Sequence, residues 1–234
     1  MHRAFLLAAF LAAPLSAATM QWTIGGVQRE ALVFAPSVRS PRAPVIFAFH
    51  GHGGLMERAA RNMCYQELVP RAVVVYMQGL PTPSPSDPEG CAAGWQSVPG
   101  QLGDRDVAFF DAVLATVRAK FRVDERRIYV AGYSNGALFT FLLWAKRGTT
   151  FAAVGICAGV LLPQVHVTVP RPVMHVAGRA DTIAPFAMQE TTIAAERKWN
   201  GTKAPVEAVI HPGGHMPPPW TSERIAQFFA AHAK

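Results

Sequence analysis

The stretch RRIYVAGYSNGALF, residues 126–139, decides how this chain is read. A run of β-formers ends in Gly-Tyr-Ser-Asn-Gly, and an apolar helical pattern follows at once. A hydroxyl between two glycines at a strand-to-helix turn is the signature of a nucleophile elbow, where Ser134 sits on a turn too tight for neighbouring side chains. A plain Gly/Ser turn gives the same five letters. A random chain of this length shows the spacing about one time in ten, so the surrounding sequence has to decide.

Short apolar, β-rich runs alternate with helical patterns on both sides of this stretch. QWTIGG and REALVFAP form a hairpin around Gly25-Gly26. APVIFAFHG, RAVVVYMQG, RRIYVAG, FAAVGICAG, RPVMHVAG and VEAVIHPGG are nearly continuous in apolar residues, as strands of a covered parallel sheet must be. Helical spacing marks residues 104–121, 135–146, 186–199 and 221–232. The alternation predicts a mostly parallel, doubly wound sheet with an N-terminal antiparallel hairpin and no large lid. Residues 81–103, rich in Pro, Gly and Ser and without periodicity, form a loop long enough to expect a binding role.

The chain has 234 residues, half of them hydrophobic, which suits one α/β domain with a full core. Arg3, an apolar run over Ala4–Ala13 and the small residues Ser16-Ala17-Ala18 predict a signal peptide over residues 1–18, with a catalytic domain over 19–234. The apolar run is too short to span a bilayer, so the expected mature protein is periplasmic or secreted, with no membrane attachment. Losing Arg3 leaves 21 basic against 15 acidic residues. That surplus is scattered, and no nucleic-acid motif accompanies it. An exported chain permits a disulfide. Cys64 and Cys91 lie at loop or helix edges and are the expected pair, with Cys157 a buried thiol inside a strand.

Acyl transfer needs a nucleophile, a base that activates it, an acid that orients the base and donors aimed at the oxyanion. In α/β enzymes of this kind they follow in the order Ser, acid, His, each after a strand. Ser134 follows RRIYVAG, Asp181 follows PVMHVAG, and His215 follows VEAVIHPGG. Asp104, Asp106 and Asp111 precede the serine, Asp106 fits a helix-start role and Asp124 a turn role, His175 lies inside a strand, and His211 precedes the glycines that let the chain turn back. The oxyanion donors are expected to be the backbone N–H groups of Asn135 and of His52 in HGHGG, with Gly53 as the alternative to His52. His50 and His52 lack the partners that a zinc site needs, so neither a metal nor another cofactor is expected.

With these residues in place, the chain resembles the secreted polyhydroxybutyrate depolymerase-like and feruloyl esterase-like branch of the α/β-hydrolases. The resemblance runs from about Arg29 to the C-terminus and rests on FHGHGG, YMQGLPTP, DPEG, GWQ, GDRD, FFDAVL, VDERRIYVAGYSNG and GRADTIAPF. It implies the α/β-hydrolase fold and a triad on Ser134, Asp181 and His215. Two departures stand out: Ala137 where many members have glycine, and Met216-Pro217-Pro218-Pro219 between His215 and Trp220.

The expected function is a serine carboxylesterase acting on a soluble small or oligomeric ester. Hydroxyalkanoate depolymerisation, feruloyl or acetyl ester cleavage on plant polysaccharide, acyl transfer to an alcohol, and an inactive binding module are the alternatives. Trp95, the only large aromatic of the 81–103 loop, is expected to meet the substrate together with Gln96, Tyr133 and Trp220. Oligomeric state is left open.

Overall fold

The computed structural model describes residues 17–234. The expected signal segment lies, through residue 16, outside the described residues. The strands are β1 (Ala17–Ile24), β2 (Val27–Phe34), β3 (Ala43–Phe49), β4 (Val73–Met77), β5 (Leu80–Pro81), β6 (Ala93–Gly94), β7 (Val123–Tyr133), β8 (Ala153–Cys157), β9 (Val173–Gly178) and β10 (Val206–His211). The helices are α1 (Met56–Met63), α2 (Tyr65–Leu68), α3 (Arg105–Lys120), α4 (Asn135–Arg147), α5 (Phe186–Asn200) and α6 (Thr221–Ala230).

Eight strands form one sheet in the order β1-β2-β4-β3-β7-β8-β9-β10. The β1–β2 and β2–β4 pairs are antiparallel, and every pair from β4 to β10 is parallel. This is the doubly wound sheet and hairpin expected from the alternation. Ala17 and Ala18 pair with Phe34 and Val33, so β1 begins inside the segment read as the signal's end.

Side-chain alternation sends each strand to two cores. Phe47, Phe49, Val73, Val75, Val130 and Ile156 face one side, where Phe109, Phe110 and Val113 of α3 and Phe139, Leu142 and Trp144 of α4 cover them. Ile46, Ala48, Val74, Tyr76, Tyr129 and Val176 face the other, under Met56 and Ala60 of α1 and Ile225, Phe228 and Phe229 of α6. Full burial on both faces explains why β3, β4 and β8 read as unbroken apolar runs. The parallel strands therefore end together at one edge, where the loops after β3, β7, β9 and β10 converge.

Four short elements, α1, α2, β5 and β6, were not anticipated. Helix α1 was legible in principle, because Met56, Ala59, Ala60 and Met63 follow helical spacing. The 81–103 loop is also not structureless. Its ends pair as β5 and β6, and Ser84 bridges to Asp87.

Candidate active site

Strand β7 ends at Tyr133, and Ser134 takes φ 56° and ψ −121° before α4 begins at Asn135. A positive φ is costly for a residue with a Cβ, and the flanking glycines show why the turn is held so tightly. A Cβ on Gly132 would collide with the carbonyl of Gly136, and one on Gly136 would lie 2.5 Å from the carbonyl oxygens of His50 and Phe49. The Gly-x-Ser-x-Gly spacing is thus a packing requirement of this turn. The Ser134 N–H donates to the Cys157 carbonyl at 2.9 Å, fixing the elbow to β8.

His215 reaches the elbow from the loop after β10. Its Nε2 lies 2.8 Å from Ser134 Oγ, and its Nδ1 lies 2.9 Å from Asp181 Oδ2. Asp181 stands after β9 with its carboxylate buried. Backbone N–H groups of Ile183 and Ala184 both donate to Oδ1 at 2.9 Å, and Gln189 Nε2 donates to Oδ2 at 3.0 Å. Four donors, counting His215 Nδ1–H, hold this buried anion. A hydroxyl, an imidazole and a carboxylate are therefore hydrogen-bonded in series, a geometry able to move the Ser134 proton to His215.

The competing residues lie elsewhere. Asp104 bonds Gln96 and Lys146, Asp111 pairs with Arg147, and Asp124 pairs with Arg127. His211 accepts the Gly213 N–H. His175 places Nδ1 3.0 Å from buried Glu196, while its Nε2 has no partner among the described residues. Cys157 beside the elbow is pushed up to about 12 by burial, with Asp181 adding to the shift, so its thiol stays protonated.

Of the expected oxyanion donors, the N–H groups of His52 and Asn135 have no acceptor among the described residues. Gly53, the alternative to His52, is already committed: its N–H donates to the Ala93 carbonyl at 2.7 Å. The rings around them are also engaged. His50 Nε2 accepts from the Gly79 N–H at 3.0 Å, which leaves its Nδ1–H to donate to the Gly51 carbonyl at 2.7 Å. Burial lowers its pKa from 6.5, in keeping with that neutral tautomer. His52 Nε2 meets Asp87 at 3.0 Å.

A cleft of about 570 Å³ opens beside the elbow. Its walls are His50–Leu55, one face of α1, Tyr133, Met216–Pro219 and the start of α6. Tyr133 packs against the His215 ring at 5.2 Å, and its hydroxyl donates to Met216 Sδ.

Three expectations are corrected: the substrate contacts of Trp95 and of Gln96, and the Cys64–Cys91 bridge. Trp95 is fully buried, stacked 5.2 Å from Phe139, with its Nε1–H donating to the His50 carbonyl. Gln96 is fully buried too, holding the Asp106 and Val107 N–H groups and the Asp104 carboxylate. Neither can touch a substrate, because the apolar floor under the elbow claims the indole and the start of α3 claims the amide. Trp220, another of the expected contacts, is 39% exposed at the start of α6. The expected Cys64–Cys91 bridge is absent: all three cysteines are free. Cys64 turns its Sγ to the Arg61 carbonyl, and Cys91 is exposed with its N–H tied to Asp87.

Sequence reasoning missed several organising residues. Asp106 stands in the first turn of α3 as expected, but what was missed is that it is the buried partner of Arg29 at 2.7 Å. The Asn135 side chain clasps the 81–103 loop, accepting from the Trp95 N–H at 2.7 Å and donating to its carbonyl at 3.1 Å. Gln189 had a signal: Gln189, Thr192, Ile193, Glu196 and Asn200 form the buried stripe of α5, and polar residues at core spacing point to internal partners.

Comparison with known proteins finds esterases among the relatives of this chain. Feruloyl esterase D of Neurospora crassa is 29% identical over 182 residues, covering 74% of this chain and 56% of that protein. NocK of Nocardia uniformis subsp. tsuyamanensis, which carries an esterase name, is 31% identical over 162 residues, covering 65% of this chain and 44% of that protein. The acetylxylan esterase/xylanase XynS20E of Neocallimastix patriciarum is 25% identical over 171 residues, covering 70% of this chain and 23% of that protein. The chain thus spans between 23% and 56% of these relatives' lengths. Among solved structures, S-formylglutathione hydrolase FrmB of Staphylococcus aureus superposes with a TM-score of 0.69 at 12% identity, over 94% of this chain and 98% of that one. A ferulic acid esterase superposes at 0.68 and 15% identity, over 92% and 98%. These likenesses show the α/β-hydrolase fold. The profile of the family described as Esterase PHB depolymerase matches residues 29–212, most of the chain, and this protein belongs to that family.

Proposed function

We propose that the protein is a serine carboxylesterase. The observation that carries this reading is the unbroken series from Ser134 Oγ through His215 to buried Asp181, at 2.8 and 2.9 Å, on a strained elbow. In this mechanism Ser134 Oγ attacks the ester carbonyl as His215 Nε2 takes its proton. The His52 and Asn135 N–H groups hold the tetrahedral oxyanion. Collapse expels the alcohol, which takes the proton back from His215, and water then repeats the sequence to free the acid. Asp181 stays ionised, keeps Nδ1–H facing it and stabilises the imidazolium. One well-placed oxyanion donor contributes on the order of 10²–10³ in kcat.

The cleft volume of about 570 Å³ suits a small ester or the end of an oligomer, which favours a soluble substrate over a polymer surface. Feruloyl or acetyl esters of plant polysaccharide are the finer reading that the relatives' names support. Hydroxyalkanoate cleavage is the finer reading that the family description supports. The apolar segment at the N-terminus supports export. Turnover of a panel of p-nitrophenyl acetate, aryl feruloyl and hydroxybutyrate esters, with fluorophosphonate labelling of Ser134, tests the proposal. No turnover and no label would refute it.

A further inference from the structure

The cleft beside Ser134 is mostly apolar, yet one permanent charge stands in its wall. Arg58 and Asn62 lie four residues apart on one face of α1, and both line the cleft. No Asp or Glu is among the lining residues. The acidic neighbours in sequence, Glu57 on α1 and Glu223 on α6, do not reach it. Arg58 has no ion pair and no hydrogen bond among the described residues, whereas Arg29, Arg105, Arg118, Arg127, Arg147 and Arg224 each have a carboxylate. Across the cleft, Thr221 and Ser222 begin α6, whose N-terminal end adds partial positive charge to the same field.

A neutral chain in this cleft uses only its apolar walls, Met63, Ala59, Met216, Ile225 and the proline run. Such a chain makes no use of the exposed guanidinium and primary amide beside it, which stay bonded to water. A chain that ends in a carboxylate fills both needs, because the planar guanidinium binds a carboxylate through two parallel N–H donors. We infer that the cleft selects esters carrying a free carboxylate at the end of the chain it receives, with Arg58 as the residue that reads it and Asn62 beside it as a second donor. The inference rests on the carboxylesterase reading and narrows its substrate class to half-esters of diacids or O-acylated hydroxy acids.

Two matched pairs test it. Ethyl hexanoate against monoethyl adipate places the carboxylate on the acyl side. Hexyl acetate against 6-acetoxyhexanoate places it on the alcohol side. The expected result is a preference of about three- to tenfold in kcat/KM for the anionic member of one pair, expressed in KM, because Arg58 is exposed to solvent at the cleft wall. The preference should shrink with added salt. In Arg58→Gln the ratio within that pair should fall to about one. Arg61→Gln removes an equal charge from the same helix outside the cleft walls and should keep the ratio, which separates a local contact from net charge. Cleavage of the neutral esters without preference in either pair overturns the inference and leaves the esterase reading standing. So does a preference that survives Arg58→Gln. Failure to cleave any of the four esters, neutral or anionic, overturns both.

Discussion

The loop that carries His215, residues 212–220, and the loop over residues 81–103 both border Ser134, and they are built in opposite ways. The His215 loop is apolar and open: Met216 is 70% exposed, and Met216–Pro219 form a wall of the cleft. The 81–103 loop has the composition of a flexible Pro/Gly/Ser segment, yet Trp95 and Gln96 within it are wholly buried. Their polar groups are tied to His50, Asn135, Asp104 and the first amides of α3. An aromatic residue in a polar loop suggested a substrate contact, but the loop that holds an aromatic ring under the elbow is scaffold. The loop made of methionine and prolines is the one that forms a wall of the cleft.

The largest expected effect lies where the two loops meet. Ser134→Ala or His215→Ala should lower kcat by on the order of 10⁵–10⁶, because the members of such a series act as a unit. Thermal melting should be nearly unchanged, since neither side chain belongs to either core. A variant that keeps a tenth of wild-type turnover would break the comparison at its root, for then neither loop would border the chemistry.

Next in size is the scaffold loop. Removing a fully buried indole leaves a cavity between Phe49 and Phe139 and strips the His50 carbonyl of its donor. Trp95→Ala should cost about 3–5 kcal/mol of stability. The elbow rests on the same ring stack, so whatever activity remains should fall alike on acetyl and bulky esters. A loss confined to bulky esters, with melting unchanged, would return Trp95 to the role of substrate contact.

How much could be read in advance follows the same division. Ser134, Asp181 and His215 were legible because each sits directly after an apolar strand, and the elbow's glycines record contacts made within a few residues. Asp106 and Gln96 were not, because their partners lie 77 and 10 residues away and depend on how the loop is folded. The same limit hid the reason for Asn135, whose backbone was expected at the oxyanion site while its side chain clasps residue 95. Local backbone geometry leaves a mark in the letters. Long-range hydrogen bonding from polar residues leaves only a hint, such as the polar stripe of α5.

The open loop should give a smaller and more selective response. Met216 packs beside the Tyr133 hydroxyl and lines the cleft, so an acyl or alcohol chain entering there covers its thioether. Met216→Ala should lower kcat/KM for a six-carbon chain by about three- to tenfold through lost apolar contact. A two-carbon ester should change little, and so should the melting temperature. Equal losses on long and short esters would mean that Met216 acts by holding His215 through Tyr133, and the two loops would then differ less than their exposure suggests.

The smallest effect is expected at the cysteines, and it tests whether the scaffold loop is held by covalent bonding or by hydrogen bonds alone. A bridge between Cys64 and Cys91 would tie that loop to the end of α1, a constraint of about 3–4 kcal/mol in the chain-entropy account. The structure uses other means. Cys64 ends α1 in a left-handed conformation, φ 50°, with its thiol turned to the Arg61 carbonyl. Cys91 sits in a turn organised by Asp87, whose carboxylate takes the N–H groups of Cys91 and Ala92 and also meets His52. That set of bonds lowers the Asp87 pKa, first through the Ala92 N–H, and it fastens the loop to the His52 segment without sulfur. A reductant should therefore shift stability by less than about 0.5 kcal/mol, the range of a surface change away from any special feature. Thiol titration of the oxidised, denatured protein should count three. A count of one with a melting temperature that drops in reductant would show that the loop is covalently strapped, and Asp87→Asn would then do little. With free thiols, Asp87→Asn should loosen the loop and lower turnover of every ester together, because the bond that fails is the one that holds His52 in place.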